Sequence, residues 1–166
     1  MQLCITGKLQ NDEYSQSVGD IAALHSSIVF TGYVDEATKR QLYLNALGLL
    51  SPSLIEGFGI PVLDAACLGL KTIASPLGSH REIQIMHDFD NVVLLCSTLN
   101  TSDWASAMRV LAGSHELAMA ETSELNQMIV MGKIRSERIL RYRNYQNIIN
   151  KAFQAEICKL LSPKQI

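Results

Sequence analysis

Apolar positions in this chain fall into short runs, separated by polar stretches and by single glycines. Leu3-Cys4-Ile5-Thr6 predicts a short buried strand that ends at Gly7. A polar stretch from Asn11 to Gly19 leads into Ile21-Ala22-Ala23-Leu24, the end of a helix. Ser27 to Val34 predicts a second strand, with Ile28, Val29 and Phe30 at its centre and Gly32 at its exit. Asp35 is a suitable cap for a helix over Glu36 to Asn45, with Leu42 and Tyr43 facing inward. Leu47 to Leu50 predicts a third strand, stopped by Ser51-Pro52-Ser53.

The pattern then repeats. Pro61 suits the first position of a helix, where its missing N–H would be unpaired in any case. That helix runs to about Leu68, and Gly69 closes it. Lys71 to Ala74 and Val92 to Cys96 predict two more strands. Ser102 or Asp103 caps a helix carrying Trp104, Met108 and Leu111, with Trp104 read as core. After Gly132, the spacing of Tyr145, Ile148, Ile149, Ala152 and Phe153 draws one apolar stripe along a long helix. Short apolar strands alternating with helices give an α/β fold with a mainly parallel sheet. The expected organisation is a single domain over 1–166, with a core at 1–113 and a helical tail at 114–166. Such sheets bind ligands at the carboxyl ends of their strands. The informative loops are therefore those after Phe30, Leu50, Ala74 and Cys96.

Composition fits this picture. Hydrophobic residues make up 48% and charged residues 18%, which is globular and not disordered. The net charge of −2 argues against nucleic acid as a partner. From Lys133 onward the chain is +6 and the body before it −8, an asymmetry that suits a solvated helix face, an acidic neighbour or a membrane surface. Cys4, Cys67, Cys96 and Cys158 lie far apart, so free thiols in a reducing cytoplasm are expected, with no metal site. No apolar run approaches the roughly 18–20 residues of a membrane helix.

The segment from Ser51 to Ala65 carries the chemistry. Gly57 and Gly59 let the backbone approach a ligand closely, and the helix after them offers unpaired N–H groups that suit a diphosphate. Glu56 and Asp64 would repel phosphate and serve better as acceptors for hydroxyls, as on a sugar and a ribose. A strand–helix turn with a capping carboxylate is the plainer alternative. His80 with Arg81 lies in a loop near this segment, able to reach phosphate or simply to form a surface turn.

Ser51-Pro52-Ser53-Leu54-Ile55-Glu56-Gly57-Phe58-Gly59-Ile60-Pro61-Val62-Leu63-Asp64-Ala65 resembles the E-x7-E motif of retaining GT-B glycosyltransferases, especially family 4, with Asp64 in the second acidic place. Phe30 to Val34 and Ser75 to Glu82 resemble the flanking segments of the same family. The resemblance implies a Rossmann-like three-layer domain and a donor site for a UDP- or GDP-sugar. In it Glu56 contacts the sugar hydroxyls as an electrostatic, not nucleophilic, catalytic group. The backbone of Gly57, Phe58, Gly59 and Ile60 holds the sugar and distal phosphate, Asp64 accepts from the ribose, and Tyr33 and Val34 border the base. The resemblance implies no metal and no further cofactor.

The family's domain begins with one more strand and helix, whose loop carries Arg and Lys for the diphosphate, and an amino-terminal acceptor domain precedes it. Neither is visible before Leu3. The missing strand is central in the family's sheet, so the expectation is that its two neighbours pair directly or a second chain fills the gap. The chain is thus expected to be the donor half of a hexosyltransferase acting on a glycan or lipid-linked acceptor. It would be inactive alone and would work with a separate amino-terminal domain or by self-association. The expected location is the cytoplasm, with the basic tail a candidate contact for the inner membrane face. An idle sugar-nucleotide-binding module and a sugar-nucleotide epimerase relative are the alternatives.

Overall fold

Strands and helices alternate along the chain as the apolar runs predict. A computed structural model describes residues 2–85, 89, 91–97, 100–120 and 124–161. They fall into two units, Met1–Leu42 and Tyr43–Ile166.

In the first unit, β1 (Leu3–Thr6) and β2 (Ile28–Gly32) pair in parallel, joined by α1 (Glu13–Ala23). The polar stretch before Ile21 is itself helical. Asp12 starts that helix by accepting from the Ser15 amide at 2.7 Å, a cap placed ahead of the residues whose periodicity was legible. Gly32 leaves β2 with φ of 67°, a left-handed turn that favours glycine. Asp35 then accepts from the Thr38 amide at 2.7 Å and opens α2 (Glu36–Asn45). Its hydrogen bonds with Thr38 hold its carboxyl below the usual carboxylate range.

The second unit holds a parallel sheet in the order β3 (Leu49–Ser51), β4 (Thr72–Ala74), β5 (Val93–Leu95). Central β4 is wholly buried. On one face, Leu49, Ala74 and Val93 pack with Val62, Ala66 and Ile83 of α3 (Ile60–Cys67) and α4 (Gly78–Ile85). On the other, Leu50, Ile73 and Cys96 meet Trp104, Ala107, Met108 and Leu111 of α5 (Thr101–Ala120). Neighbouring residues of one strand point to opposite layers, so the sheet is covered on both sides. The α/β class with parallel, Rossmann-like strand–helix alternation is thus borne out.

Two local expectations are corrected. The stretch read as a loop from Ser75 to Glu82 forms α4 from Gly78 onward. Gly, Ser and His are weak helix formers, but His80 and Ile83, one turn apart, are both buried, and that packing outweighs propensity. The cap of α5 is Asn100, whose Oδ1 accepts from the Ser102 amide at 3.1 Å and the Asp103 amide at 3.4 Å, displacing Ser102 and Asp103 from that role. Trp104 joins the core as expected and donates its indole N–H to the Ser97 carbonyl at 2.8 Å.

The long helix predicted after Gly132 is α6 (Glu124–Leu161). Arg138 donates to the carbonyls of Tyr43, Leu44 and Ala46 at 3.3, 3.2 and 2.9 Å, satisfying the exposed end of α2. Tyr142 packs on the buried cluster of Ala65, Leu68 and Leu70. Arg141 lies against Gly69, whose φ of 69° closes α3 as the sequence requires. Two of the tail's basic residues therefore face the protein. The side chains of Ile149, Ala152 and Phe153 lie outside the described residues.

Candidate functional site

The site is assembled at the carboxyl ends of β3 and β4. Ser51 ends β3, and its carbonyl accepts from the Ser75 amide at 3.0 Å and from Ser75 Oγ at 3.4 Å. Both serines are buried, and the Ser75 amide and hydroxyl tie the exits of the two strands together. Pro52 breaks the ladder, and the chain crosses to α3 through residues 52–59.

Glu56 sits in that crossing, half-buried, with Oε1 accepting from Ser53 Oγ at 2.8 Å. The hydroxyl bond steadies one of the two carboxylate oxygens. Gly57 and Phe58 are exposed, Gly59 is buried, and Ile60 is exposed. Gly59 is the N-cap of α3 with φ of 81° and ψ of 42°. Its carbonyl accepts from Val62 at 2.9 Å and Leu63 at 3.1 Å. Pro61 carries no N–H, so the amides left for a ligand at this end are those of the loop and Ile60. The segment is therefore a glycine loop leading into a helix, with the loop and Ile60 amides at its open end.

His80 lies beside that cap. It is fully buried, and Nδ1 meets the Ser75 carbonyl at 2.8 Å. A carbonyl only accepts, so Nδ1 carries the proton. Nε2 is buried, without a hydrogen-bond partner among the described residues. A Cβ on Gly59 would stand 2.8 Å from His80 Cδ2 and 3.0 Å from Nε2, so the ring edge and the loop backbone touch. His80 is thus a strut between the β4 exit and the α3 cap, and not a loop residue. Arg81 is exposed on α4, and its Nε donates back to the Pro76 carbonyl at 3.3 Å.

Asp64 lies about one turn into α3, half-buried, and Oδ1 accepts from Tyr145 of α6 at 3.3 Å. Burial first, and the Asp64 charge next, push the Tyr145 phenol up to about 12. The same two causes, in the same order, push the Cys67 thiol up to about 11. Both neighbours of Asp64 stay neutral at ordinary pH. Tyr33 and Val34 follow Gly32 in the first unit, Tyr33 90% exposed and Val34 half-buried. The structure thus brings Glu56, the glycine loop, His80 and Asp64 onto one strand–helix junction of the second unit.

Sequence reasoning missed Ser51, Ser75 and Tyr145. A serine at each of two strand exits was a signal for the first two. Tyr145 had only its place in an apolar stripe.

Among the described residues no three His, Cys, Asp or Glu side chains gather as a metal site would require. Cys4, Cys67 and Cys96 are free thiols, and Cys158 lies among residues whose side chains are not described. No described helix is long and apolar enough to cross a membrane.

Comparison with known proteins agrees with this geometry. Residues 1–114 match the family described as Glycosyl transferases group 1. An uncharacterized glycosyltransferase of Methanocaldococcus jannaschii is 30% identical over 91 residues, covering 55% of this chain and 23% of that protein. A phosphatidyl-myo-inositol mannosyltransferase of Mycolicibacterium smegmatis is 32% identical over 84 residues, covering 50% of this chain and 21% of its own length. The matched stretch is less than a quarter of either relative. The chain belongs to the group 1 glycosyltransferase family.

Proposed function

We propose that this group 1 glycosyltransferase chain binds the nucleoside diphosphate sugar of a retaining GT-B enzyme and presents it for hexosyl transfer to a glycan or lipid-linked acceptor. The observation that carries the reading is the Glu56–Asp64 segment, where a carboxylate held by Ser53 precedes a glycine loop and a helix N-terminus. In this reading Glu56 accepts from donor sugar hydroxyls and stabilises the positive charge that develops on the sugar ring. The amides from Gly57 to Ile60 hold the sugar and distal phosphate, and Asp64 accepts from the ribose. Arg81 is a further cation for the phosphates, and His80 supports the loop that holds them.

Transfer breaks the bond between the anomeric carbon and the phosphate oxygen and forms one to the acceptor hydroxyl. The nucleoside diphosphate leaves with the electron pair, and the acceptor proton passes to it or to solvent. Glu56 forms no covalent intermediate. The relative named for mannosyl transfer and phosphatidyl-myo-inositol supports a hexose and a lipid-type acceptor. The tail's basic residues outside the Arg138 and Arg141 contacts, exposed Arg143 and Lys151 among them, support contact with an anionic membrane surface in the cytoplasm.

Calorimetric titration with UDP and GDP tests the donor site. One of them binds, and Glu56→Ala weakens the corresponding nucleotide sugar more than the bare diphosphate. Equal loss for both would remove Glu56 from the sugar subsite. Turnover of the bound nucleotide sugar in the presence of an acceptor domain supports transfer, and its absence there would favour an idle binding module.

A further inference from the structure

Asp64 has a shorter side chain than a glutamate, so an exposed carboxylate there would spread over several staggered rotamers. The Tyr145 hydroxyl, 81 residues further along the chain, donates to Oδ1 and selects one of them. A carboxylate offers about four lone-pair sites on its two oxygens, and the Tyr145 hydroxyl takes one of them.

Tyr145 is delivered by a docked helix. Arg138 anchors α6 on three carbonyls, Arg141 lies against Gly69, and Tyr142 packs on Ala65, Leu68 and Leu70. Residue 141 stands beside 69 and residue 145 beside 64, so α6 runs antiparallel to α3 toward its ligand end. The phenol remains a donor, because burial and the Asp64 charge both oppose its ionisation.

We propose that Tyr145 is a positioning residue for the donor. Its hydroxyl holds the Asp64 carboxylate in the orientation that accepts from the ribose, so ribose recognition depends on α6. This rests on the donor-site reading above.

The test is calorimetric titration of the full chain with UDP and GDP and with their 2′-deoxy counterparts. Wild type prefers the ribonucleotide by about tenfold, the scale of one hydrogen bond to a charged group. Asp64→Ala abolishes that preference. Tyr145→Phe removes one oxygen and keeps the ring packing; it lowers the preference at least threefold and leaves affinity for the deoxynucleotide unchanged. A merely structural role would weaken both nucleotides alike. Retention of the wild-type preference by Tyr145→Phe, or equal loss for both nucleotides, overturns the inference and leaves the donor site standing. Failure of wild type to bind either diphosphate, or a preference that survives Asp64→Ala, overturns the donor reading and this inference with it.

Discussion

Replacing Gly59 with alanine tests whether the loop geometry and His80 form one unit. The backbone there has φ of 81° and ψ of 42°, a left-handed conformation that costs an L-residue about 1–2 kcal/mol. The new methyl would stand 2.8 Å from His80 Cδ2, well inside contact distance. His80 is fully buried and bonded through Nδ1 to the Ser75 carbonyl, so the ring cannot swing away freely. Overpacking of this kind costs about 1–3 kcal/mol. Gly59→Ala should therefore lower unfolding free energy by about 2–5 kcal/mol, read from urea denaturation by linear extrapolation. In a His80→Ala background the steric part vanishes and only the backbone part remains. The double-mutant cycle should then show about 1–3 kcal/mol of coupling. A cost below about 1 kcal/mol, or the same cost in both backgrounds, would refute the strut.

Three further outcomes follow from the packing. Arg138→Met keeps much of the stem but leaves the carbonyls of Tyr43, Leu44 and Ala46 without their donor; it should cost about 1–3 kcal/mol in urea denaturation, with Arg138→Lys recovering part. Gly48→Ala places a methyl 2.8 Å from the Lys71 carbonyl and 2.5 Å from Leu111 Cδ2, so it should destabilise by at least about 2 kcal/mol in the same assay. Cys67 and Tyr145 titrate higher folded than unfolded, so they stabilise the fold fully below about pH 9 and lose that contribution as pH rises toward about 11 and 12. An alkaline fall in melting temperature that Cys67→Ala reduces would show it, as would a disulfide reagent modifying exposed Cys4 before Cys67 at pH 8.

What the sequence disclosed about this site follows from what local physics writes into residue type. Gly59 and Gly69 mark left-handed turns, Pro61 marks a first helical turn, and Asp35 marks a cap, each because few residues fit those positions. The loop carrying Glu56 was legible on those grounds. The start of α5 was not, because Asn100, Thr101, Ser102 and Asp103 are four consecutive residues that can cap, and only the final chain path decides among them. The helix α4 was hidden for a different reason. Its sequence favours a loop, and only the burial of His80 against Gly59 and of Ile83 in the core makes it helical.

The Asp64–Tyr145 bond lies beyond both kinds of signal. Periodicity placed Tyr145 on the inward face of a long helix, but a helical stripe names a face and not the partner it meets. The register is set by Arg138 on the end of α2 and by Arg141 at Gly69, contacts made by residues that sequence alone assigns to a solvated basic face. Those two arginines fix where α6 sits, and that position puts a hydroxyl on a carboxylate 81 residues earlier. The basic tail is therefore not a single surface feature. Its residues nearest α3 hold the helix in place, and the charge outside those contacts is what remains for a neighbour or a membrane. Neutralising Arg138 and Arg141 should act on stability and on nucleotide preference together. Neutralising exposed Arg143 and Lys151 should spare both and change only binding to anionic vesicles.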